Sequence, residues 1–242
     1  MLGILAKRPA DILLSGECRR YLALSRWRNG DRYLRIHEDL DAGVMPGAVE
    51  HNRKELEKDD FGSYTRTVRL INPLTSLDPI YGHAPKMKVL SIGPRTEMEI
   101  LHLVAVGFHP ANISALDLIS ASPLIDTGDM HNLPYGDCSF NVVISSWVLG
   151  YSSDPQRAID EMVRVCAHKG IIAIGLTFEP GYGRGVVADN PADDEIVGSM
   201  YGSVEEIKTL VGDKLDLIYF QQQPESDDQK GPVMLIARIK HD

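Results

Sequence analysis

Five apolar runs between Val89 and Leu176 constrain this chain more than anything else in it. Lys88-Val89-Leu90-Ser91-Ile92-Gly93 runs into a glycine, and Ala115-Leu116-Asp117 ends on an acid. Gly128-Asp129-Met130-His131-Asn132-Leu133-Pro134 marks the end of a third run. Ser139 to Trp147 and Gly170 to Leu176 are the fourth and fifth. Short, nearly continuous apolar runs of this kind fit strands buried on both faces. The expected fold is therefore α/β, a mostly parallel open sheet flanked by helices. In such sheets ligands bind beyond the carboxyl ends of the strands, which is where the glycines, acids and serines of these runs stand.

Helix signals fall between the runs. Thr96 can cap a helix from Glu97 to Val106, with Glu97 and Glu99 favourable in its first turn and Gly107 as its stop. Asp154-Pro155 opens another, carrying Ala158, Ile159, Met162, Val163 and Val165 towards the sheet. Ser203 and Glu206 form a capping box for a last helix. Leu215 to Phe220 and Val233 to Ile239 then read as two closing strands, joined by the polar stretch from Gln221 to Pro232.

From Gly128 to Gly170 the chain resembles the class I S-adenosylmethionine-dependent methyltransferases, in particular the branch with a GD…LPF.D.SFD.V run. Leu133-Pro134-Tyr135-Gly136-Asp137-Cys138-Ser139-Phe140-Asn141 stands for LPF-x-D-x-SFD. Glu161 to Gly170 stands for E-x-x-RV-x-x-x-GG, with one glycine missing. The likeness extends over about residues 85 to 240 and implies a Rossmann-like sheet closed by a C-terminal antiparallel hairpin. It departs at the first loop, where the family's G-x-G-x-G is Gly93-Pro94-Arg95-Thr96-Glu97. Asn141 replaces an Asp, and Leu118 to Pro123 is too short for the usual crossover helix.

The resemblance implies S-adenosyl-L-methionine as cofactor and assigns its contacts. Gly93 turns the chain beneath it, Asp117, with Leu118 beside it, accepts from the ribose hydroxyls, and Asp129 and Met130 meet the adenine. Ser145, Ser146 and Trp147 end the fourth strand, where methyl donor and acceptor meet; Trp147 can offer a cation–π face or simply fill the core. Glu97 can accept from the methionine ammonium, pair with Arg95, or serve only as a first-turn acid. Arg95 can instead grip a carboxylate or phosphate. His131 is the nearest histidine and the first candidate for a general base, with Tyr151 behind it. Tyr182 and Arg184, in the long insertion from Phe178 to Gly202, are the expected substrate contacts. No metal site is expected, since His102 and His109 are seven residues apart.

Residues 1–84 read as a helical N-terminal extension, a cap over the sheet's carboxyl edge or a source of homodimer contacts, and residues 85–242 as the sheet domain. Within the extension, Asp11 to Trp27 has helical spacing, Arg32 to Leu40 is a weaker helix, Val49 to Asp59 a charged one, and Asn72-Pro73 is a helix breaker. The net charge of −9 disfavours nucleic acid as partner. No apolar run is long enough to span a bilayer, the start is a poor signal peptide, and three scattered cysteines fit a reducing compartment. The expectation is a cytoplasmic enzyme methylating a small molecule or glycan precursor at oxygen, nitrogen or carbon. The alternative is a repurposed, non-catalytic relative that binds a partner. A nicotinamide dehydrogenase is disfavoured, because its G-x-G-x-x-G is absent after the first strand.

Overall fold

The computed structural model describes residues 9–29, 35–37, 53–54, 64–178, 180, 185–188, 197–201 and 203–241. Its strands in chain order are β1 (Arg35–Ile36), β2 (Val89–Ile92), β3 (Ile113–Asp117), β4 (Ile119–Ser120), β5 (Asp126–Thr127), β6 (Phe140–Ser146), β7 (Cys166–Phe178), β8 (Gly185–Ala188), β9 (Val197–Met200), β10 (Leu215–Gln222) and β11 (Gly231–Ile239). The α-helices are α1 (Gly16–Asn29), α2 (Tyr64–Thr75), α3 (Glu97–Ala105), α4 (Pro155–Val165) and α5 (Val204–Val211).

Seven strands form the main sheet in the order β10-β11-β7-β6-β2-β3-β5. β5, β3, β2, β6 and β7 are parallel, and β11 and β10 close the edge antiparallel. This is the expected Rossmann-like sheet with its terminal hairpin. Strand alternation sends Leu90, Ile92, Val143, Ile172 and Ile174 to one face, where they pack with Ala158, Ile159 and Met162 of α4 and Ile207 of α5. Val89, Val142, Ile144, Ile171 and Ala173 go to the other face, against Leu70, Ile71 and Leu74 of α2 and Leu103 of α3. Burying each large side chain of these layers contributes about 2 kcal/mol.

The expected caps form. Thr96 Oγ1 accepts from Met98 N–H at 3.4 Å, Asp154 Oδ1 from Arg157 N–H at 3.1 Å, and Glu206 Oε2 from Ser203 N–H at 3.3 Å. Asn141, in place of the resemblance's Asp, uses its Oδ1 to accept from Lys88 N–H at 2.8 Å. Lys169 occupies the place of the missing glycine, with φ +60°.

Two expectations are corrected. Asn72-Pro73 does not break α2, because Pro73 lies near its end, where one lost intrahelical bond is offset by the buried Leu70, Ile71 and Leu74. Arg35 and Ile36 are strand, not helix, since they pair antiparallel with Ser120 and Ile119. The crossover helix between β3 and β5 is absent, as the short link from Leu118 to Pro123 implied. Residues 118–125 make the connection through β4, and β5 still pairs parallel with β3. The helices expected at 32–40 and 49–59 otherwise lie largely outside the described residues, as do the side chains of the 179–202 insertion.

Candidate functional site

A cleft open to solvent lies at the carboxyl ends of β2, β3 and β5. It is lined by Ile92, Gly93, Leu116, Asp117, Leu118, Gly128, Asp129, Met130, Val148 and Tyr151. Gly93 N–H donates to Leu116 O at 2.8 Å and Gly128 N–H to Asp117 O at 2.9 Å, so backbone bonds fix the strand ends beneath it.

Gly93 has φ +71°, and a Cβ there would meet Val148 Cβ at 2.5 Å. Only glycine fits both the conformation and the space. Two residues on, at the second glycine position of the resemblance, Arg95 adopts φ +49°. The loop therefore keeps a glycine-type backbone while carrying a side chain, at a local cost of about 1 kcal/mol.

The two carboxylates of the cleft are held differently. Asp117 Oδ2 accepts from Arg95 N–H at 2.9 Å and Oδ1 from Ile119 N–H at 3.3 Å. Burial nevertheless raises its carboxyl above the usual range, against those backbone bonds. The backbone N–H of Leu118 is a third donor to the same carboxyl group. Burial also acts to raise Asp129, but the ring and backbone N–H of His131 outweigh it and hold that carboxyl below the usual range. Asp129 Oδ1 takes both bonds, from His131 N–H at 2.9 Å and His131 Nδ1 at 2.6 Å. Its Oδ2 is buried without a partner in the protein.

Of the residues singled out from the sequence, Gly93, Asp117, Leu118, Asp129, Met130 and Tyr151 come together in this cleft. Among the described residues, the others do not line it. Glu97 turns away towards the N-terminal segment, where its carboxylate meets Arg26 Nε at 2.6 Å and Ser122 Oγ at 2.5 Å. Arg95 contributes its backbone N–H to Asp117. Trp147, at φ +60°, lies over Gly175, donates from Nε1 to Thr177 Oγ1 at 2.7 Å and packs with the layer on the α2 side. Core filling is its observed role. The hydroxyls of Ser145 and Ser146 are buried. His131 stands behind Asp129 with both ring nitrogens engaged, Nε2 by Ser152 Oγ at 2.6 Å, and has no free lone pair to act as a base towards the cleft. Tyr182 and Arg184 lie outside the described residues.

Sequence reasoning passed over Val148, Ile92, Leu116 and Gly128. The first follows Trp147 directly, and the register that turns Trp147 into the core turns Val148 onto Gly93. No group of His, Cys, Asp and Glu suited to a metal occurs among the described residues. No helix among them is long and apolar enough to cross a membrane.

A family model described as a methyltransferase domain matches residues 95–174. No curated protein sequence matches the chain. Among solved structures, a putative methyltransferase of Haloferax volcanii, in complex with the Trm112 methyltransferase activator, superposes with a TM-score of 0.59 at 14% identity, covering 81% of this chain and 99% of that one. The PH0226 protein of Pyrococcus horikoshii OT3 gives 0.55 at 13% identity, covering 75% and 93%. The 1,6-didemethyltoxoflavin-N1-methyltransferase of Burkholderia thailandensis, bound to 1,6-didemethyltoxoflavin and S-adenosylhomocysteine, gives 0.52 at 14% identity, covering 79% and 84%. At such identities the structures speak for the fold alone, and the family match covers about a third of the chain. Residues 95–174 thus match a methyltransferase domain, set in a sheet with the fold of S-adenosylmethionine-dependent methyltransferases.

Proposed function

We propose that the cleft between Gly93, Asp117 and Asp129 binds S-adenosyl-L-methionine and that the chain methylates an oxygen, nitrogen or carbon of a small molecule or glycan precursor. One observation carries the binding assignment. Asp129 Oδ2 is buried at the cleft, ionised in character and without a protein partner. A buried carboxylate oxygen left unsatisfied is costly, and a ligand amine removes that cost. The residues present fit the cofactor: Gly93 leaves room under the chain, Asp117 can accept from the two ribose hydroxyls, Asp129 Oδ2 from the exocyclic amine, and Met130 and Leu118 supply apolar contact.

The bound cofactor supplies an electrophilic methyl group on a sulfonium. The chain's part is to hold donor and acceptor in line, which is where most of the rate comes from in such a displacement. Tyr151, on the cleft wall, is the side chain placed to orient an acceptor. Proton removal is needed only for an acceptor that must lose one, and His131 is not positioned for it. The net charge of −9 supports a small acceptor over a polyanion.

Calorimetry with S-adenosylhomocysteine tests the assignment. Wild type should bind in the micromolar range, Asp117→Ala should lose about 100-fold and Asp129→Asn about 10-fold. Unchanged affinity in both variants would remove the cofactor from this cleft.

A further inference from the structure

Behind Asp129 runs a buried chain of hydrogen bonds that ends on a different part of the cleft wall. Asp154 N–H donates to Ser152 Oγ at 3.1 Å, Ser152 Oγ meets His131 Nε2 at 2.6 Å, and His131 Nδ1 meets Asp129 Oδ1 at 2.6 Å. Asp129, His131 and Ser152 are 2%, 1% and 0% exposed, which removes the serine from any role as a nucleophile. The directions follow from chemistry. An ionised carboxylate only accepts, so Nδ1 carries the proton. In a neutral imidazole that leaves Nε2 as the acceptor, and the Ser152 hydroxyl donates to it. Arg157 Nε donates to His131 O at 2.9 Å and fixes the backbone at the centre of the chain.

Ser152 follows the one-turn 3₁₀ helix Leu149–Tyr151, which is flanked by two cleft-wall residues, Val148 before it and Tyr151 at its end. The wall segment and Asp129 are thus joined through one imidazole. We infer that His131 and Ser152 are positioning residues that aim Asp129 Oδ2 at a ligand N–H donor, so that the cleft selects an amino-bearing purine over its carbonyl counterpart, and that they lock the Val148–Tyr151 segment to that choice. The inference rests on the cofactor assignment above.

The test is calorimetry with S-adenosylhomocysteine and S-inosylhomocysteine, which differ by amine against carbonyl. The proteins are wild type, Ser152→Ala, His131→Asn and the double variant, each checked for folding by its thermal melt. Ser152 does not line the cleft, and an asparagine amide can replace the Nδ1 donor to Asp129 without reaching Ser152. Wild type should prefer the adenosyl ligand by about 30-fold. Each single variant should lower adenosyl affinity about 5-fold while leaving the inosyl ligand unchanged, and the double variant should be no worse than either, as for members of one network. Equal weakening of both ligands, an unchanged ratio, or additive losses in the double variant would overturn the relay while leaving the cofactor site standing. Failure of wild type to bind either ligand would overturn both.

Discussion

The two halves of the sheet reach the cleft by different means. On one side β6 and β7 are seven and thirteen residues long and pair over most of β6. The turns around them are tied locally. Arg164 donates to Glu161, to Asp137 Oδ1 at 2.8 Å, and to the carbonyls of Tyr135 and Leu133, all within 31 positions of itself. On the other side β2, β3 and β5 have four, five and two residues. There the crossover helix is missing and the loops are held from far away in the chain. Arg35 Nη2 donates to Ser120 Oγ at 3.1 Å, Ser122 O at 2.6 Å and Ile125 O at 2.7 Å. His37 N–H donates to Leu118 O at 2.9 Å, Arg26 meets Glu97, and Thr67 Oγ1 donates to Glu99 at 3.2 Å. Where the family pattern of the first loop and crossover has drifted, residues before the sheet supply the bracing. The extension is therefore packed against the loops of that half of the sheet.

The largest effect should come at Gly93. Gly93→Ala forces a side chain into φ +71° and against Val148 Cβ at 2.5 Å. Strain and overpacking together should cost about 3 kcal/mol, with loss of S-adenosylhomocysteine binding. Adding Val148→Ala should restore stability in part, because it relieves the overlap but not the backbone. If Gly93→Ala melts with wild type, the tight approach of the two strand ends is wrong.

Two arginine truncations sharpen the contrast between the halves. Arg35→Ala and Arg164→Ala each remove a guanidinium that satisfies several acceptors, and each should cost about 2 kcal/mol in chemical denaturation. Arg164 serves the loop from Leu133 to Asp137, none of which lines the cleft, so its loss should leave cofactor affinity within about 2-fold. Arg35 clasps the loop that follows Asp117 and carries Leu118, so its loss should weaken S-adenosylhomocysteine about 10-fold as well. Equal binding by the two variants would show that the long-range bracing is structural only.

The succession of strands was legible because β2, β3, β6 and β7 each carry an apolar run. The caps at Thr96, Asp154 and Ser203 were legible because capping is a contact between neighbours in sequence. What escaped was set by distant partners. Arg35 and Ile36 become a strand only because Ser120 and Ile119 present an edge to them. Glu97 carries the right charge for a helix N-terminus facing a ligand, yet Arg26 and Ser122 draw it to the other side. His131 was the nearest histidine to the site by sequence, but Asp129 and Ser152 consume both nitrogens. Residue type located the cleft, while the direction of each side chain depended on partners up to 90 positions away.

The smallest of these effects concerns Glu99, where the bracing meets the sheet. It is 2% exposed, on α3, and accepts from Ser91 Oγ of β2 at 2.5 Å and from Thr67 Oγ1 of α2 at 3.2 Å. Burial raises its carboxyl above the usual range, despite the hydroxyls of Ser91, Ser146 and Thr67, and Asp117 nearby adds to the rise. The folded protein then binds the Glu99 proton more tightly than the unfolded chain does. Its contribution to stability is greatest below the ordinary carboxyl range and falls as pH rises from there through the raised value. Glu99→Gln, which keeps an acceptor for Ser91 and can donate to Thr67, should remove that fall. At pH 8 the variant should melt higher than wild type by about 3 °C, and at pH 4 the two should coincide. A variant that melts lower at pH 8 and matches wild type at pH 4 would mean that the three hydroxyls outweigh burial. Glu99 would then be a stable buried anion, and the short-strand half of the sheet would be held by charge rather than in spite of it.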